Sequence, residues 1–157
     1  MEYISQSFKK RPPRLKIIFN RNPLYFVTCC TYNRRPLLAY EIVHDVFRRA
    51  AGQASMAGNA VGRYVIMPDQ IHMFLRIGMN NKLGAAVKCI REAITRLLHQ
   101  DDRNLHVWQA GFFDHMMRSS ESYAEKWLYV SNNPVRVGLC DSADKWPYQG
   151  EIVIIRW

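Results

Sequence analysis

Apolar residues recur along the chain with two different periods, and the switches between them mark out the elements. Residues 24–32 (LYFVTCCTY) are dense in β-branched and aromatic side chains and read as a strand. From about residue 38 to 54 the spacing becomes helical, with Val43, Val46, Phe47 and Ala50 on one stripe and glycines at 52, 58 and 62 bracketing the end. Residues 62–77 (GRYVIMPDQIHMFLRI) read as two strands joined at a turn around Pro68 and Asp69. A second helix spans about 82–99, burying Leu83, Ala86, Val87, Ile90, Ile94, Leu97 and Leu98. Residues 107–113 read as a fourth strand. Ser119 or Ser120 then caps a third helix, with Glu121 and Glu125 near its positive end. That helix has to stop near Asn133, because Pro134 disfavours α-conformation just before it.

The order strand, helix, strand, strand, helix, strand, helix predicts an α+β domain of the ferredoxin-like split βαβ type. It implies an antiparallel sheet with helices on one face, the other face free, and an added C-terminal helix. With no internal repeat or linker, residues 1–157 read as one domain. Residues 1–23 form an N-terminal arm in which Pro12, Pro13 and Pro23 discourage helix, and residues 140–157 form a C-terminal tail.

Alternation sorts the strand at 70–77 into two faces. Ile71, Met73, Leu75 and Ile77 line the core, while Gln70, His72, Phe74 and Arg76 share the opposite, open face. His72 is then either a satisfied structural histidine or a ligand, and Gln70, two residues away, can point at the same metal ion. On the third helix, steps of about 100° per residue place Tyr123, Ala124, Trp127 and Val130 on the buried side. Tyr129 falls roughly opposite, flanked by Glu125 and Asn133 one turn away on each side. It is either an ordinary part-exposed tyrosine or a phenol with chemistry to do.

Composition narrows the class. With 48% hydrophobic and 22% charged residues, the chain is neither disordered nor fibrous. No apolar run approaches the roughly 18 residues of a membrane helix, and residues 1–14 lack the apolar stretch of a secretion signal. No membrane partner and a cytoplasmic location are therefore expected. Cys29, Cys30, Cys89 and Cys140 have neither metal-site nor disulfide-scaffold spacing and read as reduced, mostly packing residues.

Of the net charge of +9, +7 lies in residues 1–35, where eight Lys or Arg face a single acid, Glu2. Such a basic segment suits a polyphosphate partner, although a solvated tail has the same composition. Fifteen arginines against seven lysines favour phosphate contact, since guanidinium binds it bidentately. The candidate contacts are Lys9, Lys10, Arg11 and Arg14 in the arm, with Arg34, Arg35, Arg76, Arg118 and Arg136 beyond it. Tyr32, Trp108 and Phe112 offer either base stacking or core packing. Asp114 and His115 suggest no role, and His44, His99 and His106 read as ordinary packing or surface residues.

Four stretches, YFVTCCTYNRRPL (25–37), YVIMPDQIHMFL (64–75), VWQAGFFDHMMR (107–118) and YVSNNPVRVGL (129–139), come in order with compatible spacing. Together they resemble the IS200-type tyrosine transposases, specifically the REP-associated branch, over about residues 20–150. The resemblance implies a partner, single-stranded or hairpin DNA, and a nucleophile, Tyr129, that forms a 5′-phosphotyrosine link and frees a 3′-hydroxyl. It also implies a divalent metal, Mg²⁺ or Mn²⁺, held by His72, Gln70 and Asn133, and it leaves monomer and homodimer both open. One departure stands out: the family's strand carries His-hydrophobic-His, and Gln70 occupies the first position. A glutamine carbonyl is a ligand that hard ions accept. Activity can therefore survive, or the chain has become a hairpin DNA- or RNA-binding module that no longer cuts.

Overall fold

The structure is a computed structural model and describes residues 22–157. The expected contacts Lys9, Lys10, Arg11 and Arg14 lie outside the described residues, as does nearly all of the 1–23 arm. The described elements are β1 (Leu24–Cys30), α1 (Glu41–Met56), β2 (Ala60–Met67), β3 (Gln70–Arg76), α2 (Leu83–Leu98), β4 (Phe113–Met117), α3 (Ser120–Ser131), α4 (Asn133–Arg136) and β5 (Gln149–Glu151). The strands form one antiparallel sheet in the order β4-β1-β3-β2-β5. The predicted α+β architecture is therefore present.

One face of the sheet packs on α1 and α2. Val27 and Cys29 of β1, Val61, Tyr64 and Ile66 of β2 and Ile71, Met73 and Leu75 of β3 meet Val43, Phe47 and Ala51 of α1 and Val87, Ile90 and Ile94 of α2. The alternation along β3 thus sends its odd-numbered side chains to the helices, as expected.

The other face is not free. α3 lies across it, with Tyr123 packed among Leu24, Phe74 and Met117 and Val130 among Val65, Met67 and Trp146. The sequence explains why. β1 (LYFVTCC) and the end of β2 (YVIM) are apolar at consecutive positions, the mark of a strand buried on both sides. Leaving Leu24, Phe74, Val65 and Met67 in water would forfeit about 1.5–3 kcal/mol each. Of the four α3 residues placed on the buried side, Ala124 is instead exposed, while Tyr123 and Val130 are buried and Trp127 partly so.

The fourth strand also lies elsewhere. Val107 and Trp108 are buried, but in an irregular segment that touches the sheet through a single Thr31–Trp108 bridge. Trp108 packs against the C-terminal half of α2, its Nε1 donating to the Arg91 carbonyl (3.2 Å) and Thr95 Oγ1 (3.0 Å). Gly111, at φ +73°, then turns the chain so that Phe113–Met117 pairs with β1. Apolar content marked the burial correctly, and the ladder fell on the more polar residues of an edge strand.

The expected tail from 140 onward is built into the sheet. Trp146 Nε1 donates to the Ile66 carbonyl at 2.9 Å, and β5 pairs with β2. At the bulge between Val61 and Tyr64 the chain passes close to Gly62, where an added Cβ would lie 2.6 Å from Ile155 Cγ1. No helix among the described residues is long and apolar enough to cross a membrane.

Candidate active site

Antiparallel register brings the chemistry-bearing residues of β1 and β3 side by side on the face that α3 crosses. Cys30, Gln70 and Met67 form one cross-strand row, and Phe113, Thr28, His72 and Val65 form the next. His72 is 8% exposed. Its Nδ1 lies 2.8 Å from Thr28 Oγ1, and its Nε2 is buried with no hydrogen-bond partner among the described residues. The Phe26 ring stacks on the imidazole at 5.7 Å between centroids, and Lys126 of α3 sits 5.1 Å from that phenyl ring.

Burial pushes the His72 pKa down to about 4, helped by the charge of Arg34 and then by Lys126 and Arg136, with Asp69 acting in the opposite direction. The ring is neutral at physiological pH. An unpartnered buried nitrogen is costly: with the ring proton on Nδ1, Nε2 presents a lone pair to a ligand, and with Thr28 donating to Nδ1 it presents an N–H.

Arg34 ends a short 3-10 turn (Tyr32–Arg34) and is tied at 2.8 Å to Asp69, which stands in the β2–β3 turn. Gln70 is half-buried, its Oε1 contacted by the Cys30 thiol at a long 3.9 Å. Burial raises the Cys30 thiol, which leaves it protonated and a weak donor.

Tyr129 projects from α3 with 63% of its surface exposed. Ser119 caps that helix in a reciprocal pair with Ser122, and Asn132 ends it. Pro134 sits in the first turn of α4, where its missing N–H costs nothing. This break folds Arg136 back over α3. Its Nη1 donates to the Tyr129 carbonyl at 2.7 Å, its Nη2 donates to Asn133 Oδ1, and its Cζ lies 4.0 Å from the Tyr129 ring centroid.

The structure therefore groups Tyr129, Asn133 and Arg136 by direct contact, and groups Gln70, His72 and Thr28 on the sheet. Arg136 adds the smallest of the charges that lower the His72 pKa. No hydrogen bond or ring contact between Tyr129 and His72 is present among the described residues.

The remaining candidates are dispersed. Arg35 and Arg118 are exposed, while Arg76 is held by the C-terminal segment, donating to the Arg156 carbonyl (2.7 Å) beside the Trp157 ring. Trp108 belongs to the core and Phe112 packs against it, whereas Tyr32 is exposed and stacked on His106 at 4.1 Å. His115 is exposed on β4 in register with Phe26, which puts it on the same face as His72. Thr28, Lys126 and Asp69 were missed by sequence reasoning. Lys126 had a signal, standing three residues before Tyr129 on one helix.

A divalent metal was tested against this donor set. Among the described residues no three His, Cys, Asp or Glu side chains gather as a metal site. The site depends instead on one imidazole and amide oxygens. With its proton on Nδ1, His72 donates to Thr28 and presents a bare Nε2, the arrangement of a metal-bound histidine with an oriented second nitrogen. Gln70 adds an oxygen from the neighbouring row, and Asn133 carries the third, engaged by Arg136. His72 Nε2 and Gln70 Oε1 are donors that a hard ion accepts, whereas no contact of Asn133 with either is present among the described residues.

Comparison with known proteins agrees with the fold. The family model described as "Transposase IS200 like" matches residues 21–133. The chain belongs to the IS200-like transposases, a family of DNA transposases whose members are generally metal-dependent. Within it, the similarity lies with the REP-associated tyrosine transposases. A candidate member of that group from Haemophilus influenzae is 24% identical over 142 residues, covering 83% of this chain and 80% of its own. The solved structure of a REP-associated tyrosine transposase bound to a REP hairpin has a TM-score of 0.72 at 19% identity, covering 91% of this chain and 81% of that one. A candidate transposase structure from Deinococcus radiodurans has a TM-score of 0.52 at 18% identity, covering 79% and 96%. At these identities the two structures bear on the fold.

Proposed function

We propose that this protein binds hairpin-forming single-stranded DNA, nicks it, and rejoins strands through a phosphotyrosine at Tyr129. In the first step the Tyr129 oxygen attacks phosphorus and the bond to the 3′-oxygen breaks. The phenolic proton goes to solvent or a nearby base, and the leaving strand departs as a 3′-hydroxyl. The DNA 5′-phosphate stays on the tyrosine until a second 3′-hydroxyl attacks and restores the diester.

His72 Nε2, Gln70 Oε1 and Asn133 Oδ1 are the residues that would hold a Mg²⁺ or Mn²⁺ ion. When bound, such an ion supplies Lewis-acid polarisation of the scissile phosphate. Arg34, Lys126 and Arg136, whose charges converge on His72, attract the DNA backbone and hold it against the sheet. Exposure of Tyr129 leaves its phenol open to a large substrate. The hairpin preference is carried over from the partner named for the similar solved structure.

The observation that carries this reading is the buried Nε2 of His72, without a partner among the described residues, on a cationic face crossed by the helix of Tyr129. A second reading, a hairpin DNA- or RNA-binding module that does not cut, is favoured by the engagement of Asn133 with Arg136. Labelled hairpin DNA incubated with Mn²⁺ separates the two. Transfer of label to the protein on a denaturing gel, lost in Tyr129→Phe, supports cleavage. Tight binding without transfer, in both the natural protein and Gln70→His, supports the binder.

A further inference from the structure

Two ring-bearing residues of β4 have no part in the proposed reaction, yet they stand on its face of the sheet. Alternation along the strand sends Phe113, His115 and Met117 to the side that carries His72, in register with Thr28, Phe26 and Leu24 of β1. α3 covers Met117 through Tyr123, whereas Phe113 remains 48% exposed and His115 is exposed. Residues two apart on an antiparallel strand are separated by about 6.8 Å, twice the roughly 3.4 Å rise per nucleotide of a stacked strand. The space between the two side chains therefore takes one flat base. Its surroundings suit nucleic acid. Lys126 of α3 stands 5.1 Å from the ring of Phe26, the β1 neighbour of His115, and Arg118 is exposed just past the end of β4. β3 and β4 flank β1, so Phe113 lies about 10 Å from His72, two strand spacings away. A base there can belong to the nucleotide whose phosphate rests at His72 Nε2, or to its neighbour.

We propose that Phe113 and His115 are positioning residues that hold one unpaired DNA base between their rings, beside the phosphate that Tyr129 attacks. A base within a duplex cannot enter, because both its faces are stacked and its edge is paired. Only an unpaired nucleotide fits without the cost of unstacking. The slot thus selects a single strand at the point of cleavage. Stacking tolerates every base, so the slot fixes where the strand is gripped and not which base is read. This rests on the reading of Tyr129 and His72 given above.

The test is binding of hairpin DNA to metal-free protein, with one abasic nucleotide moved step by step along the unpaired segment. The natural protein should lose affinity about tenfold when the abasic site falls beside the cleaved bond, the effect of one lost base–aromatic stack. Phe113→Ala should bind the intact hairpin about tenfold more weakly and be indifferent to the abasic nucleotide at that position. Phe113→Trp should restore both the affinity and the sensitivity. His115→Ala should show a smaller loss, coupled to the same nucleotide. An abasic site removes the base and keeps the phosphates, so a merely structural defect in Phe113→Ala would weaken both DNAs alike. Equal losses on intact and abasic DNA, or unchanged binding by Phe113→Ala, overturn the proposal even where label transfer to Tyr129 persists. Coupling without any label transfer by the natural protein overturns instead the reaction assigned to Tyr129 and leaves the base slot standing.

Discussion

At the scale of single residues, the Thr28 and His72 pair is the most demanding feature. The two stand 44 positions apart in sequence and meet at 2.8 Å only because β1 and β3 pair in this register. Thr28→Val keeps the shape and removes the hydroxyl, leaving the imidazole without a partner at either nitrogen. Chemical denaturation should show a loss of about 1–3 kcal/mol, the cost of stranding a buried polar group. Metal-dependent label transfer should fall about 10- to 100-fold, as when an orienting partner is taken from a ligand.

The same burial predicts an acid-sensitive fold. Because the folded His72 titrates near 4 and the unfolded one near 6.5, the unfolded chain binds the extra proton between those values. Stability therefore declines as pH falls from about 6.5 to about 4, by roughly 3 kcal/mol from this group. Denaturation curves of the metal-free protein across that window check it. His72→Gln should remove this component, and a pH profile unchanged by the substitution would count against the assigned environment. The placement of Gln70 and His72 on one sheet face and the exposure of Tyr129 on its helix were legible from strand alternation and helix spacing. Thr28 was not, because no local pattern announces a partner on another strand.

At the scale of elements, the helix stripes and the β3 alternation were legible because each is a local period that burial enforces. The coverage of the second sheet face was not read out, although its signal was present in the consecutive apolar residues of β1 and β2. The position of β4 was obscured by Val107 and Trp108, apolar residues that fill the core without joining a ladder. α3 is the element whose placement matters most, since it carries both Lys126 and Tyr129. Its start depends on the Ser119 and Ser122 capping pair, with the Ser122 amide donating to Ser119 Oγ at 3.1 Å. Ser119→Ala should lower stability by about 1 kcal/mol, read as a reduced denaturation midpoint. Label transfer at saturating DNA should change little if the rest of the helix stays docked.

At the scale of the whole molecule, the C-terminal segment acts as a brace across β2. Trp146 is anchored on the Ile66 carbonyl, β5 extends the sheet, and Ile155 fits against the bare Cα of Gly62. Gly62→Ala forces a methyl group to within 2.6 Å of Ile155 Cγ1. Overpacking of this kind costs about 1–3 kcal/mol. Limited proteolysis should then cut residues 152–157 sooner than in the natural protein, and Ile155→Ala should restore resistance. The brace was invisible in the sequence because a three-residue strand containing glycine has no period to detect.

The central claim is that the phenol of the helix crossing the second face becomes bonded to DNA. Trypsin acts after Lys126 and Arg136, so the released peptide of residues 127–136 contains Tyr129 as its one tyrosine. Mass spectrometry of that peptide, after reaction with hairpin DNA and nuclease trimming, should show a nucleotide 5′-phosphate on Tyr129. The same peptide recovered unmodified, with the nucleotide found on any other residue, would contradict the account.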